Sequence, residues 1–229
     1  MLEMQEVLKA CSNISAPGPD YITWQHLKLI LASNTCAVGI LSLVNACLSL
    51  QHWPRHFKKL VSIIIPKPGK PTYDTSKAFR PIVLLNALGK LIEKMIVRWL
   101  QFDAVKYSIL HPNQLGSVAQ WSTKDAGVFL THLVQAGWAK GLKTSVVAFD
   151  IAQFFPSLNH SMLTLILRHF GFPDYIVDFF SDYLVGRSTQ YSWISFLSGA
   201  CDAYVGVGCY ETLWTWIIFI FFFFYFLTL

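Results

Sequence analysis

The chain has 229 residues, 54% of them hydrophobic and 14% charged, with a formal net charge of +5; that length suffices for one large or two small domains with an apolar core. Five cysteines (Cys11, Cys36, Cys47, Cys201 and Cys209) form an odd set with no CxxC pair, which argues against a disulfide framework and a cysteine zinc site and points to a reducing, intracellular setting, nuclear or cytoplasmic. The positive charge is local, because Arg55 to Lys106 holds eleven Lys/Arg against three acids, a balance of +8 suited to a polyanion-binding face.

In chain order, MLEMQEVLKACSNIS carries no basic stretch leading into an apolar one, so no secretory signal is expected. APGPDYI at 16 to 22 is a turn cluster, and the apolar period after it predicts one or two helices reaching Leu50. His52 and His56 are four apart, but Pro54 between them disfavours the helix a metal-binding pair requires, so both are expected as surface histidines. The β-branched run VSIII at 61 to 65 predicts a strand stopped by Pro66, and Pro68-Gly69-Lys70-Pro71 predicts a tight loop whose Lys67 and Lys70 are placed to hold phosphates.

After Pro81, the spacing of Leu85, Leu88, Ile92, Met95, Ile96 and Trp99 predicts an amphipathic helix, with Lys90, Lys94 and Arg98 recurring every four residues on one stripe able to follow a phosphate backbone. A helix is predicted over Thr123 to Ala139, then a strand over Thr144 to Ile151, then a helix from about Ser157 stopped by Gly171. Asp174, Asp178 and Asp182 follow at four-residue steps, as on the solvated face of a further helix. The fold class is therefore α/β (α+β), with several helices. Leu213 to Leu229 ends the sequence with seventeen uncharged residues. As a helix it would span about 26 Å, slightly short of a hydrocarbon core of roughly 30 Å.

The predicted strand that ends at Asp150 delivers one carboxylate to a surface, and Phe155 follows five residues later. Phosphoryl transfer with two metal ions uses carboxylates to hold the ions about 4 Å apart, one activating the attacking hydroxyl and one steadying the leaving pyrophosphate. A single aspartate does not hold both.

Several blocks together give a sharper reading. APGPD, IPKPGK, FRPIVLLNALGKLIEK, NQLGSVAQWSTKDA, VVAFDIAQFFPSLNH and GFPDYIVDFFSDYLVGRSTQY occur in this order across residues 14 to 208. In order and spacing they resemble the reverse transcriptases of non-LTR retrotransposons, with those of group II introns as more distant relatives. The resemblance implies a partial right-hand polymerase: an N-terminal helical part of the fingers (1–60), fingers (61–143), an incomplete palm with the first catalytic motif (144–208), and a divergent apolar tail (209–229). It implies Asp150 as the first metal-binding carboxylate, with the backbone carbonyl of Ile151 beside it and Mg²⁺ as the ion. Phe155 becomes the gate that excludes a ribose 2'-hydroxyl, and Lys67 and Arg80 contact the incoming dNTP, where the guanidinium fork of Arg80 matches phosphate geometry. Lys70, Lys90, Lys94 and Arg98 then lie near the RNA template or DNA primer.

The sequence also departs from the family pattern. Gln120-Trp121 stands where the family usually has Gly-Arg, VGVG at 205 to 208 is not followed by the Gln-Gly block, and no Tyr-x-Asp-Asp hairpin with the remaining carboxylates follows. The polypeptide as written is thus expected to be catalytically inactive. The alternatives are a non-catalytic retroelement remnant that binds nucleic acid weakly, or a tail-anchored membrane protein through residues 213–229. The tail itself can be read as an anchor, as translated intron or out-of-frame sequence, or as a buried helix.

Overall fold

A computed structural model describes residues 1–109, 113–116, 118, 120–148, 159–193, 196–197 and 201–202. The described residues fall into two compact units, one holding 1–96 and 159–202 and the other 97–148. Mixed helix and strand are present, as the sequence predicts.

The first unit opens with α1 (Leu2–Ala10), to which the sequence reading assigns no element, and continues with α2 (Trp24–Ile30) and α3 (Asn34–Ser49). Thr23 begins α2 with a reciprocal cap: its side chain accepts from the His26 N–H, and its own N–H donates to His26 Nδ1. A 3-10 turn at Arg55–Lys58 leads into β1 (Lys59–Pro66), which pairs antiparallel with β2 (Phe79–Leu84). The sequence reading assigns FRPIVL no strand and has a helix follow Pro81. Pairing with β1 makes it a strand, and Pro81, which lacks an N–H, is tolerated because β2 is the edge of the described sheet.

On the other side of β1 runs β3 (Ser188–Trp193) in parallel, followed by the short β4 (Phe196–Leu197) and β5 (Cys201–Asp202), both antiparallel to β3. Leu60, Ser62 and Thr189 are buried on one face of this sheet, where the Ser62 and Thr189 hydroxyls meet at 2.7 Å and satisfy each other.

Helix α4 (Ala87–Lys106) follows β2, and the division between the units falls within it. Of the predicted stripe, Leu85, Ile92, Met95 and Ile96 are buried and Leu88 and Trp99 half-buried. α6 (His160–His169), capped by the Asn159 side chain, leads into α7 (Asp174–Leu184). The core of this unit is aromatic. Trp53 is fully buried, with ring centroids 5.4 Å from Phe57, 5.1 Å from Tyr183 and 6.0 Å from Phe179 in tilted and edge-to-face arrangements.

The second unit holds the last turns of α4 and helix α5 (Thr123–Ala139). Ser122 caps α5 in reciprocal bonds with Asp125, whose carboxyl is held below its usual range chiefly by the Ser122 hydroxyl and N–H. No residue of α5 is buried. The strand predicted over Thr144 to Ile151 does not form in its described part: residues 144–148 have no regular structure and are exposed, while 149–151 lie outside the described residues. A run with β-branched residues such as Thr144, Val146 and Val147 becomes a strand only when neighbours accept and donate along its backbone, and none is paired with it among the described residues.

Candidate nucleotide and nucleic-acid interface

The cationic residues singled out in the sequence lie on the β1–β2 hairpin and on α4. The hairpin register sets Ile65 opposite Arg80 and Pro66 opposite Phe79, so the exposed Arg80 sits at the end of β2 nearest the tip. The tip turns at Gly69, whose φ of +73° is in the left-handed region that glycine occupies without penalty. The loop is closed from within. The Lys67 N–H donates to the Ala78 carbonyl at 2.8 Å, Lys67 Nζ to the Lys77 carbonyl at 2.7 Å, and the Tyr73 hydroxyl to the Lys67 carbonyl at 2.9 Å. The rings of Tyr73 and Phe79 pack with centroids 5.8 Å apart. Lys67 therefore holds its own loop in shape, whereas Lys70 and Arg80 present their charges to solvent.

The α4 stripe is graded rather than uniform. Lys90 is buried, with 7% exposure, Lys94 is half-buried and Arg98 is exposed. Exposure therefore rises along the stripe toward its C-terminal part, because the four-residue step drifts around the helix and carries Lys90 into the packed side. Lys90, with Lys94 and Lys28, still acts on Cys11: burial pushes that thiol up and the three ammonium groups partly oppose it.

Gly18 of the APGPD block lies against the junction between β2 and α4. A Cβ there would come within 2.5 Å of the Leu85 and Asn86 backbone, so only glycine permits this approach. Two blocks far apart in sequence are thereby packed together at that junction.

Asp182 was expected on a solvated face with Asp174 and Asp178. Those two do lie exposed, each 3.3 Å from the Arg168 guanidinium. Asp182 instead turns inward. It accepts from the Trp53 N–H at 2.6 Å and lies 3.1 Å from Lys58 Nζ and 3.2 Å from His52 Nδ1, clasping α7 to the segment that enters β1. Burial works to raise its pKa, but the Trp53 N–H and the Lys58 ammonium outweigh it and hold the carboxylate below its usual range. Pairing across 129 residues leaves no signal in a four-residue repeat.

A second buried polar tie joins α4 to α7, where the Tyr183 hydroxyl donates to Glu93 at 2.7 Å. Arg187 covers the Tyr183 ring at 4.5 Å and donates Nη1 to its carbonyl. Asp150, Ile151 and Phe155 lie outside the described residues. Among the described residues no three His, Cys, Asp or Glu side chains gather in a way that would hold a metal ion.

A hairpin with an outward arginine, followed by a helix with a cationic end, meets comparisons that point the same way. Residues 65–200, more than half of the chain, match the family model "Reverse transcriptase (RNA-dependent DNA polymerase)". The chain belongs to the reverse transcriptase family. Its curated relatives are polymerases of non-LTR retroelements. It is 31% identical over 176 residues to the probable RNA-directed DNA polymerase from transposon BS of Drosophila melanogaster, covering 76% of this chain and 19% of that protein. It is 27% identical over 206 residues to the probable RNA-directed DNA polymerase from transposon X-element of the same fly, covering 90% and 22%. It is 25% identical over 158 residues to the retrovirus-related Pol polyprotein from type-1 retrotransposable element R2 of Popillia japonica, covering 69% and 20%. The chain thus spans about a fifth of the length of these relatives.

Within this reverse transcriptase domain, the hairpin with Lys67, Lys70 and Arg80 and helix α4 both lie inside the matched residues, and so does the Asp150 segment. The blocks from IPKPGK to GFPDYIVDFFSDYLVGRSTQY therefore lie inside the family match, and APGPD precedes it.

Proposed function

We propose that the chain forms the fingers and the first palm motif of an RNA-directed DNA polymerase, and that the 229 residues by themselves do not complete a polymerase site. The match over residues 65–200 is the observation that carries this reading. In it, Arg80 and Lys70 meet the triphosphate of an incoming dNTP, while Lys67 shapes the loop and reaches the same anion. Arg98 and Lys94 lie along the RNA template or DNA primer. Phe155 excludes a 2'-hydroxyl. Asp150 and the Ile151 carbonyl would hold a Mg²⁺ ion, and the chemistry it would supply there is stabilisation of the charge on the primer hydroxyl and the pyrophosphate. One carboxylate does not hold two ions, so the 229-residue polypeptide is a binding module rather than a working catalyst. An odd, unpatterned cysteine set and nucleic-acid substrates support a nuclear or cytoplasmic place. Among the described residues no single helix is long and apolar enough to cross a membrane, and the 213–229 segment lies outside them.

The test is primer extension on a primed RNA template with Mg²⁺ and dNTPs, alongside dNTP binding. The purified chain should bind dNTP, lose affinity about tenfold in Arg80→Ala, consistent with one charge-assisted phosphate contact, and extend no primer. Primer extension that disappears in Asp150→Ala would overturn the claim of an incomplete site. Equal dNTP affinity in wild type and Arg80→Ala would overturn the assignment of Arg80.

A further inference from the structure

The C-terminal end of α4 carries a feature that the phosphate reading leaves unused. Continuing the four-residue step from Arg98 leads to Phe102 and then Lys106, so a cation, a ring and a second cation follow one another along one side of the helix. Phe102 and Tyr107 are 66% and 64% exposed, far more than rings that serve as core. Lys106 Nζ lies 5.8 Å from the Phe102 centroid and 5.0 Å from the Tyr107 centroid, so one ammonium is flanked by both faces. Tyr107 is held in place by the way the helix ends. Ser108 takes a left-handed φ of +53°, the Ile109 N–H donates to the Ala104 carbonyl at 2.8 Å, and the Ser108 N–H donates to the Val105 carbonyl at 3.1 Å. A serine in that conformation is held there at a cost that glycine would avoid.

Exposed rings set in cationic surroundings suit a partner that brings both flat apolar faces and negative charge, which is single-stranded nucleic acid. The partial negative charge at a helix C-terminus disfavours phosphate there and favours bases, so the phosphates belong one turn back, beside Arg98. We infer that Phe102, Lys106 and Tyr107 form a base-stacking platform for a single nucleic-acid strand, with Arg98 receiving its backbone. The inference deepens the proposed function by stating which strand form this surface takes, and it rests on that reading.

The test measures binding of the full chain to a labelled 12-residue oligouridylate and to a 12-base-pair RNA duplex across a salt series. Phe102→Ala and Tyr107→Ala should each weaken binding to the single strand about tenfold, with the slope of log K against log salt unchanged. Duplex binding should be unaffected, because paired bases hide their faces. Arg98→Gln should reduce that slope by about 0.7, the value for one phosphate on a single strand, whereas Lys106→Gln should leave it unchanged. Phe102→Trp should retain binding, and all variants should keep the wild-type melting temperature because both rings are exposed. Single-strand affinity unchanged in both alanine variants would overturn the platform while leaving the polyanion reading intact. Equal losses for strand and duplex, or a change in oligomeric state in place of a change in affinity, would overturn it as well. A wild-type chain that binds neither would remove the platform together with the nucleic-acid part of the proposed function.

Discussion

Helices α7 and α5 are both amphipathic in sequence, yet they end in opposite situations. α7 buries Ile176, Val177, Phe179, Phe180, Tyr183 and Leu184, while α5 leaves Phe129 and Leu133 43% and 51% exposed and buries no residue. The difference teaches that apolar periodicity specifies a face, whereas the stabilisation from that face depends on what covers it. α7 is covered by Trp53, whose ring packs on Phe179 and Tyr183, and fastened by Asp182. α5 depends on its capping box and on local helix preference.

Substitutions at these helices test the contrast directly. The largest effect is expected for Trp53→Ala, which empties the centre of the aromatic cluster and should cost about 3–5 kcal/mol in denaturant unfolding of the first unit. A loss below about 1 kcal/mol would mean that the cluster does not carry this unit.

Asp182→Asn comes next, because it leaves Lys58, whose side chain is only 8% exposed, facing a neutral amide. Given the partial exposure of Asp182, about 1–3 kcal/mol is expected at neutral pH. The sign with pH follows from its depressed pKa: the stabilisation is present above its ordinary value of 3.8 and is lost as pH falls from there through the lower folded-state value. Stability in Asp182→Asn should therefore fall less than in wild type between pH 5 and strongly acid solution. Parallel acid profiles for the two proteins would refute the clasp.

Ser122→Ala should lower the helix content of α5 and cost about 1 kcal/mol, read by circular dichroism and hydrogen exchange in the first turn. Leu133→Ala should be the smallest, within about 0.5 kcal/mol, since an exposed side chain has little burial to lose. A loss of several kcal/mol at Leu133 would show that α5 is covered after all, and would erase the contrast with α7.

What was legible in the sequence follows physical range. The spacing of Leu88, Ile92, Met95, Ile96 and Trp99 marked α4 and its packed side, and VSIII followed by Pro66 marked β1, because neighbouring residues decide those features. β2 and β3 were not legible, since FRPIVL and STQYSW become strands by pairing with β1 on either side, and a partner is not written locally. The segment 144–148 is the reverse case, a strand-like run with no partner among the described residues. Site residues divide in the same way. Lys67 and Lys70 could be placed on the hairpin tip from turn residues alone, but the place of Arg80 on β2 and the burial of Lys90 depended on strand pairing and on what packs around α4.

The sequence by itself determined the ordered blocks, the local +8 charge, the hairpin tip and the family to which they belong, because each depends on residue type and spacing along the chain. Tertiary structure alone decided that Gly18 meets the Leu85–Asn86 backbone, that Asp182 turns inward to Trp53 and Lys58, and that Lys106 stands between two exposed rings. The first two bring together residues far apart in the chain. The last depends on which side of a helix is left uncovered, and no local pattern encodes that.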